Sequence, residues 1–292
     1  MNSMNKNSGY AVGIIGYGFV GQATAKGFAS SKENKVLWYD KFKAGGSTFD
    51  EVVKNSEFIF VSVPTPMFSD YSGMDMSIVE EVVENIAEKV SGTTKIIIIK
   101  STSLPGTTAK MAKKYPKVNF VMNPEFLTQE KANEDFLNPT RTVLGVSEQV
   151  TGDRLKQLYE TILPKDQSYY IMDTTSAELT KYMSNLMLAS KILLANEFFL
   201  LSQKVGADYD NVRKAVEADK RIGTFLSVPG WDGDFGFGKA CFPKDMIGIL
   251  GFAKKNKVDM SALQAIWDKN IKIRKNRDWE HMPQAFTSKK MI

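Results

Sequence analysis

Six residues near the start, Gly16-Tyr17-Gly18-Phe19-Val20-Gly21, constrain this chain more than any others. They follow a short apolar run over residues 10–15 and lead into a segment rich in small residues, 22–28, that reads as a helix. A strand, a G-x-G-x-x-G turn and a helix in that order form a dinucleotide-binding unit. Gly16 permits the tight turn, Gly18 lets a pyrophosphate approach the backbone, and Gly21 lets helix and strand pack closely. Phe19 and Val20 belong to the same cofactor-binding turn. A second apolar run, Lys35–Tyr39, ends in Asp40, about twenty residues beyond the glycines as the pattern requires. A carboxylate there accepts hydrogen bonds from both ribose hydroxyls and repels a 2′-phosphate. The expected cofactor is therefore NAD rather than NADP, with neighbouring Lys41 working slightly against that preference.

The strands continue at the intervals of a doubly wound fold. Residues 58–63 form a third apolar run, and residues 95–100 hold four consecutive isoleucines, the pattern of a strand buried on both faces. Residues 118–122, Thr142–Val146 and Tyr169–Met172 complete the sheet, with helical periodicity over 76–90 and 154–163. Ligands bind at the carboxyl ends of such strands, so Thr102, after the isoleucines, is placed to bond a cofactor or a reacting hydroxyl; a helix cap is the other reading. From Thr174–Val205 onward the character changes to helix formers with a strong apolar stripe. The expectation is an α/β chain: an N-terminal Rossmann-type doubly wound parallel sheet over residues 1–173, then an all-helical dimerisation domain over 174–292. Met183, Met187 and Leu194 read as core or as a partner interface.

The single cysteine lies in Gly236-Phe237-Gly238-Lys239-Ala240-Cys241-Phe242-Pro243-Lys244-Asp245. Pro243 reads as the first turn of a helix, which places Cys241 just outside a helix N-terminus, where the dipole favours a thiolate. Asp245 follows four residues on. A nucleophile beside a carboxylate is one reading, and a small buried thiol is the other. Lys181 and Asn185, spaced i, i+4, project from one face of one helix, either as solvated polar groups or as paired donors. Composition removes several classes of chemistry. One cysteine excludes an internal disulfide and a cysteine-based zinc site, and one histidine, His281, excludes a histidine triad. The net charge of +5 comes partly from Lys272, Arg274, Lys275, Arg277, Lys289 and Lys290, which lack a nucleic-acid motif and read as a solvated helix end and ragged tail. No uninterrupted apolar run reaches membrane-spanning length, and residues 1–9 lack a signal-peptide core. The expectation is a cytoplasmic protein with no metal and no membrane or nucleic-acid partner.

The stretch around Cys241 resembles the signature of the UDP-glucose/GDP-mannose dehydrogenase family, usually Gly-Phe-Gly-Gly-Ser-Cys-Phe-Pro-Lys-Asp, with Lys239 and Ala240 in place of Gly and Ser. Four further stretches carry the resemblance: Val63-Pro64-Thr65-Pro66, the Ser101–Thr108 loop, Asn123-Pro124-Glu125-Phe126-Leu127, and Arg221-Ile222-Gly223 with Phe225. The resemblance covers roughly residues 10 to 275; the family continues into a nucleotide-binding cap domain beyond that point. It implies NAD-dependent, four-electron oxidation of the C6 hydroxyl of a nucleotide sugar, UDP-glucose to UDP-glucuronate. GDP-mannose or UDP-N-acetylmannosamine oxidation and a non-catalytic NAD-binding subunit stand as alternatives.

It also implies roles for particular residues. Cys241 forms a thiohemiacetal and then a thioester; Lys181 and Asn185 donate to the oxygen that gains charge; Asp245 and Thr102 complete the catalytic set. Val63, Thr65 and Ser101 line the cofactor. Glu125, Phe126, Leu127, Arg221, Phe225 and Gly238 join Lys181 and Asn185 at the sugar nucleotide, with the arginine reaching across a homodimer. Gln129 stands where the family has a glutamate that serves thioester hydrolysis, and an amide cannot take a proton from water.

Overall fold

In the computed structural model, which describes residues 9–128, 130–282 and 285–287, β1 (Ala11–Ile15) turns directly into α1 (Phe19–Ala29). The chain continues through β2 (Lys35–Tyr39), α2 (Phe49–Asn55), β3 (Phe58–Val61), a two-residue β4 (Met67–Phe68), α3 (Ser77–Val90), β5 (Ile96–Ile99), α4 (Thr107–Lys114) and β6 (Asn119–Met122). Then come α5 (Ala132–Leu137), β7 (Thr142–Val146), α6 (Gln149–Tyr159) and β8 (Tyr169–Met172). The helical part holds α7 (Thr174–Val205), α8 (Tyr209–Glu217), α9 (Cys241–Lys255) and α10 (Ser261–Ile273), followed by a 3₁₀ turn, Asp278–His281, and β9 (Phe286–Thr287).

Seven strands form one sheet in the order β2-β1-β3-β5-β6-β7-β8. All neighbours are parallel except β6 and β7. The sheet is thus parallel in all but one pairing: the connection from β6 does not cross back over the sheet, so β7 enters from the carboxyl end of β6. The chain runs outward from β1 to β2 and then returns to β3, which makes β1/β3 the switch point where dinucleotides bind.

Two compact units divide the chain, one of residues up to Thr65 with Met76–Lys181, the other of Pro66–Asp75 with the residues from Tyr182 on. In the first, period-two alternation splits each strand between two cores. Val12, Ile14, Phe58, Phe60, Ile96 and Ile98 pack with Phe28, Phe136 and Tyr159 on one face. Ile15, Ile59, Val61, Ile97 and Ile99 pack with Val83, Ile86 and Val90 on the other. The isoleucine run is fully buried, at about 1.5–3 kcal/mol per side chain before entropy costs. α2 opens with a capping box: Thr48 accepts from the Glu51 amide while the Glu51 carboxylate accepts from the Thr48 amide. α6 starts at Gln149, five residues before the expected Arg154.

The second unit corrects the reading of the C-terminal stretch as a ragged tail. Trp279 has no exposure, and its indole donates to the Tyr71 hydroxyl (3.2 Å), which donates to Glu280 (2.7 Å). Arg274 is buried and paired with Asp232 at 2.6 Å, so part of the basic cluster is structural. Phe286–Thr287 pairs with Met67–Phe68 in a small parallel ladder. α7, at 32 residues, is ~48 Å long. By length and composition it could cross a bilayer, although Lys181, Asn185, Lys191 and Asn196 interrupt its apolar run. Its exposed apolar residues include Met183, Met187, Leu194, Phe198 and Leu201.

Candidate active site

The glycine turn is built for a phosphate. Gly16 adopts φ +90°, and a Cβ on Gly21 would lie 2.0 Å from the Gly16 carbonyl oxygen, so neither position takes a side chain without rearrangement. Gly18 is the N-cap of α1, and no side chain caps that helix. A Cβ at Gly18 would meet nothing within 4 Å, so the first-turn amides face open space that an anion can fill. Asp40 sits at the end of β2. Its two oxygens accept from the Tyr17 amide (2.7 Å) and the Phe42 amide (2.9 Å), leaving lone pairs for hydroxyl donors. Tyr17 stacks on Trp38 with centroids 3.9 Å apart, and the Lys43 ammonium donates to the Tyr17 carbonyl. Lys41 is exposed, its ammonium 5.9 Å from the Phe42 ring.

At the facing strand end, Thr65 is buried and Val63 half-buried. The Ser101 hydroxyl donates to the Val63 carbonyl (2.7 Å), so it ties the ends of β3 and β5 together and only its acceptor side remains for a cofactor. Ser62 was not picked out in the sequence. Its buried hydroxyl has no partner among the described residues, and its carbonyl oxygen lies 2.6 Å from where a Gly16 Cβ would be. A lone serine at an apolar strand end gives no signal until the switch point brings it to the glycine turn. The open N-terminus of α1, the Asp40 carboxylate and this orphan hydroxyl fit an NAD molecule.

The first unit also gathers charged side chains beyond β5 and β6. Glu125 accepts from the Leu127 amide with one oxygen, and its other oxygen is 3.8 Å from the Lys181 ammonium. That ammonium lies 5.6 Å from the centre of the Phe126 ring. Thr102 is half-buried in the loop after β5. Lys100, one residue beyond β5, is buried and donates to Asn123 Oδ1 (3.0 Å), which also accepts from the Tyr159 hydroxyl (2.6 Å). Burial pushes the Lys100 ammonium down to about 8, with Glu125 opposing the shift and Lys181 adding to it. Lys100, Asn123, Glu125 and Tyr159 border a cavity of about 230 Å³ that Phe126, Leu127, Phe136 and Arg141 also line.

Glu178, one turn before Lys181 on α7, was likewise not picked out. It has no exposure and accepts from the Gly106 amide (2.5 Å), the Thr108 amide (2.8 Å) and the Thr108 hydroxyl (2.7 Å) at the start of α4. Burial pushes its carboxyl up to about 7, against the pull of those donors.

In the second unit, α9 begins at Cys241 rather than at Pro243, so the thiol belongs to the first helical turn instead of lying outside it. The missing amide of Pro243 costs nothing there, because first-turn amides have no partner within the helix. Cys241 is partly exposed, and Asp245, one turn along α9, has no exposure. Asp245 accepts from Asn185 Nδ2 (2.6 Å) and from the Lys244 ammonium (2.7 Å). Two of the expected catalytic residues, far apart in the chain, thus meet directly. Both Lys181 and Asn185 are buried, which removes the solvated-face reading of that pair.

Arg221 stands on the surface, bound to Asp219, and Phe225 is exposed with φ +82°. Gly238 lies against Arg274. Gln129 lies outside the described residues.

Comparison with known proteins matches two family descriptions to this chain. Residues 41–163 match the NAD binding domain of the UDP-glucose/GDP-mannose dehydrogenase family, and residues 175–272 match its central domain. A UDP-glucose 6-dehydrogenase of Rickettsia bellii is 36% identical over 246 residues, 82% of this chain and 54% of that protein. One from Pseudomonas aeruginosa is 32% identical over 247 residues, 80% of this chain and 53% of that protein. The chain spans about half the length of the curated relatives it matches. The structure of a UDP-glucose dehydrogenase from Pyrobaculum islandicum superposes with a TM-score of 0.81 at 27% identity, covering 93% of this chain and 70% of that one.

Proposed function

Because the chain belongs to the UDP-glucose/GDP-mannose dehydrogenase family, we propose that it takes part in the NAD-dependent oxidation of a nucleotide sugar at C6, with UDP-glucose as substrate and UDP-glucuronate as product. The observation that supports this reading is the Asn185–Asp245 hydrogen bond, which joins two residues of the expected catalytic set, the second of them one turn along α9 from Cys241.

Bound NAD supplies the hydride acceptor for both oxidations, one molecule for each. The C6 alcohol gives up a hydride to that acceptor and its hydroxyl proton to water as the aldehyde forms. The Cys241 sulfur then bonds to that aldehyde carbon, and the thiol proton passes to the carbonyl oxygen to give a thiohemiacetal. Loss of a second hydride to the second acceptor and of the hydroxyl proton to water gives a thioester. Water adds to it, the carbon–sulfur bond breaks, and the carboxylate leaves while Cys241 recovers its proton. Lys181 and Asn185, one turn apart on α7, donate to the oxygen where charge develops, a role worth a few kcal/mol per donor. Asp245 holds the Asn185 amide in its working orientation through the 2.6 Å bond. Thr102 and the backbone of Glu125-Phe126-Leu127 hold the sugar. A thiol that works as a nucleophile goes with a reducing, cytoplasmic location.

The apolar stripe of α7, Met183, Met187, Leu194, Phe198 and Leu201, supports a homodimer in which this stripe is covered by its copy. A sedimentation profile showing only monomer at micromolar concentration would remove that part.

Stoichiometry tests the chemistry. Wild-type protein supplied separately with UDP-glucose, UDP-N-acetylmannosamine and GDP-mannose should form two NADH per sugar consumed with one of them, and the uronate should appear in the product mass spectrum. Cys241→Ser should form no uronate while binding NAD normally, since a hydroxyl is a far weaker nucleophile. Unchanged uronate formation in that variant would take the thiol out of the mechanism.

A further inference from the structure

The loop that leads into Cys241 has no regular secondary structure, yet its backbone is gripped by side chains from three other elements. The Gly236 amide donates to Asn196 Oδ1 of α7 (2.6 Å). The Phe237 amide donates to Asn270 Oδ1 of α10 (2.8 Å), and the Phe237 carbonyl accepts from Asn270 Nδ2 (3.0 Å). The Lys239 amide donates to both carboxylate oxygens of Asp278, in the 3₁₀ turn, at 3.0 and 3.1 Å. Asn270 has no exposure and Asn196 has 1%.

The Asn270 side chain therefore pairs with Phe237 as a peptide group of a neighbouring strand would, meeting one donor and one acceptor in a loop that has no strand beside it. The approach is close. A Cβ on Gly236 would lie 2.2 Å from Asn270 Oδ1, and one on Gly238 would lie 2.1 Å from an Arg274 guanidinium nitrogen. Glycine at these positions thus has a reason in the grip itself. Lys239, next in line, is held at φ +57°, a left-handed conformation that a non-glycine residue keeps only when its surroundings over-determine it.

We propose that Asn270 is a positioning residue for the nucleophile. It fixes the peptide groups on both sides of Phe237, and through them the backbone from which the first turn of α9 and Cys241 emerge. If stability were the whole purpose, an apolar side chain over a loop with its own turn bonds would serve. Instead, polar side chains from three elements converge on the backbone of Gly236, Phe237 and Lys239, the last of them two residues before the thiol. This proposal rests on Cys241 acting as the nucleophile in the function proposed above.

The test compares Asn270→Ser with a control chosen for equal loss of stability in the first unit, Val83→Ala, where a fully buried side chain is shortened. Both are assayed where each is fully folded. Asn270→Ser should lower kcat by at least about tenfold while leaving KM for NAD and for the nucleotide sugar within about twofold. The chain has one thiol, so iodoacetamide labelling reports Cys241 alone. Labelling of native Asn270→Ser should be at least about fivefold faster than wild type, as the released loop uncovers a partly buried sulfur. Val83→Ala should match wild type in both assays. Equal behaviour of the two variants, or an unchanged kcat in Asn270→Ser, would overturn the proposal. If Asn270→Ser does not fold, Asp278→Ala replaces it with the same expected outcomes. If wild-type protein yields no NADH with any nucleotide sugar, the functional reading fails, and the labelling comparison alone decides whether Asn270 positions the thiol.

Discussion

Replacing Glu178 by Gln gives a quantitative test of how the first unit is held together. The native carboxyl is raised to about 7 by burial, against an ordinary value of 4.5. A raised carboxyl pKa means that between those two pH values the folded chain binds more protons than the unfolded one. Stability from this group is therefore full below the ordinary value and is lost as pH rises through about 7. The shift corresponds to about 3 kcal/mol.

Glu178→Gln removes the ionisation but turns one end of the side chain into a donor that faces the Gly106 or Thr108 amide. One buried amide is then left unpaired, at a cost of about 1–3 kcal/mol at any pH. In urea titrations at pH 5 the variant should be less stable than wild type by about that amount. By pH 8 the gap should have closed or reversed, because wild type alone bears the cost of a buried charge. A gap that stays constant, or widens with pH, would refute this reasoning. It would mean that the three donors from Gly106 and Thr108 outweigh burial and keep the carboxylate ionised throughout.

Two other substitutions probe backbone geometry. Gly21→Ala drives a methyl group against the Gly16 carbonyl at 2.0 Å, so it should cost about 1–3 kcal/mol and abolish the rise in Tm that NAD gives the wild-type protein. A normal NAD-dependent rise in the variant would show that the turn can relax. Lys239→Gly relieves a left-handed conformation worth about 1–2 kcal/mol, loses a cation–π contact with the exposed Trp231 worth about 0.5–1, and gains unfolded-state freedom worth about 0.4–1. The net change should lie within about 1 kcal/mol of zero, and a denaturant titration showing a larger loss would mean that Lys239 has a further structural role.

What was legible in the sequence was what depends on neighbours in the chain. The turn from Gly16 to Gly21, the Asp40 carboxylate about twenty residues later, the buried isoleucine strand and the one-turn spacing of Lys181 and Asn185 all follow from period and local sterics. Residues whose work depends on distant partners carried no such mark. Glu178 looks like any helix glutamate until α4 presents its free amides 70 residues away in sequence. Asn270, in an amphipathic helix, shows its role only when Phe237 arrives 33 residues from it in sequence. Arg274 and Trp279 read as tail because burial is decided by what packs over them, here Asp232 and Tyr71. The direction of β7 and the first residue of α9 were likewise settled by the folded chain. Local pattern fixes which conformations a segment can adopt. Only the assembled core determines which polar groups lose water and must find a protein partner, and those groups tie the loops of the candidate site in place.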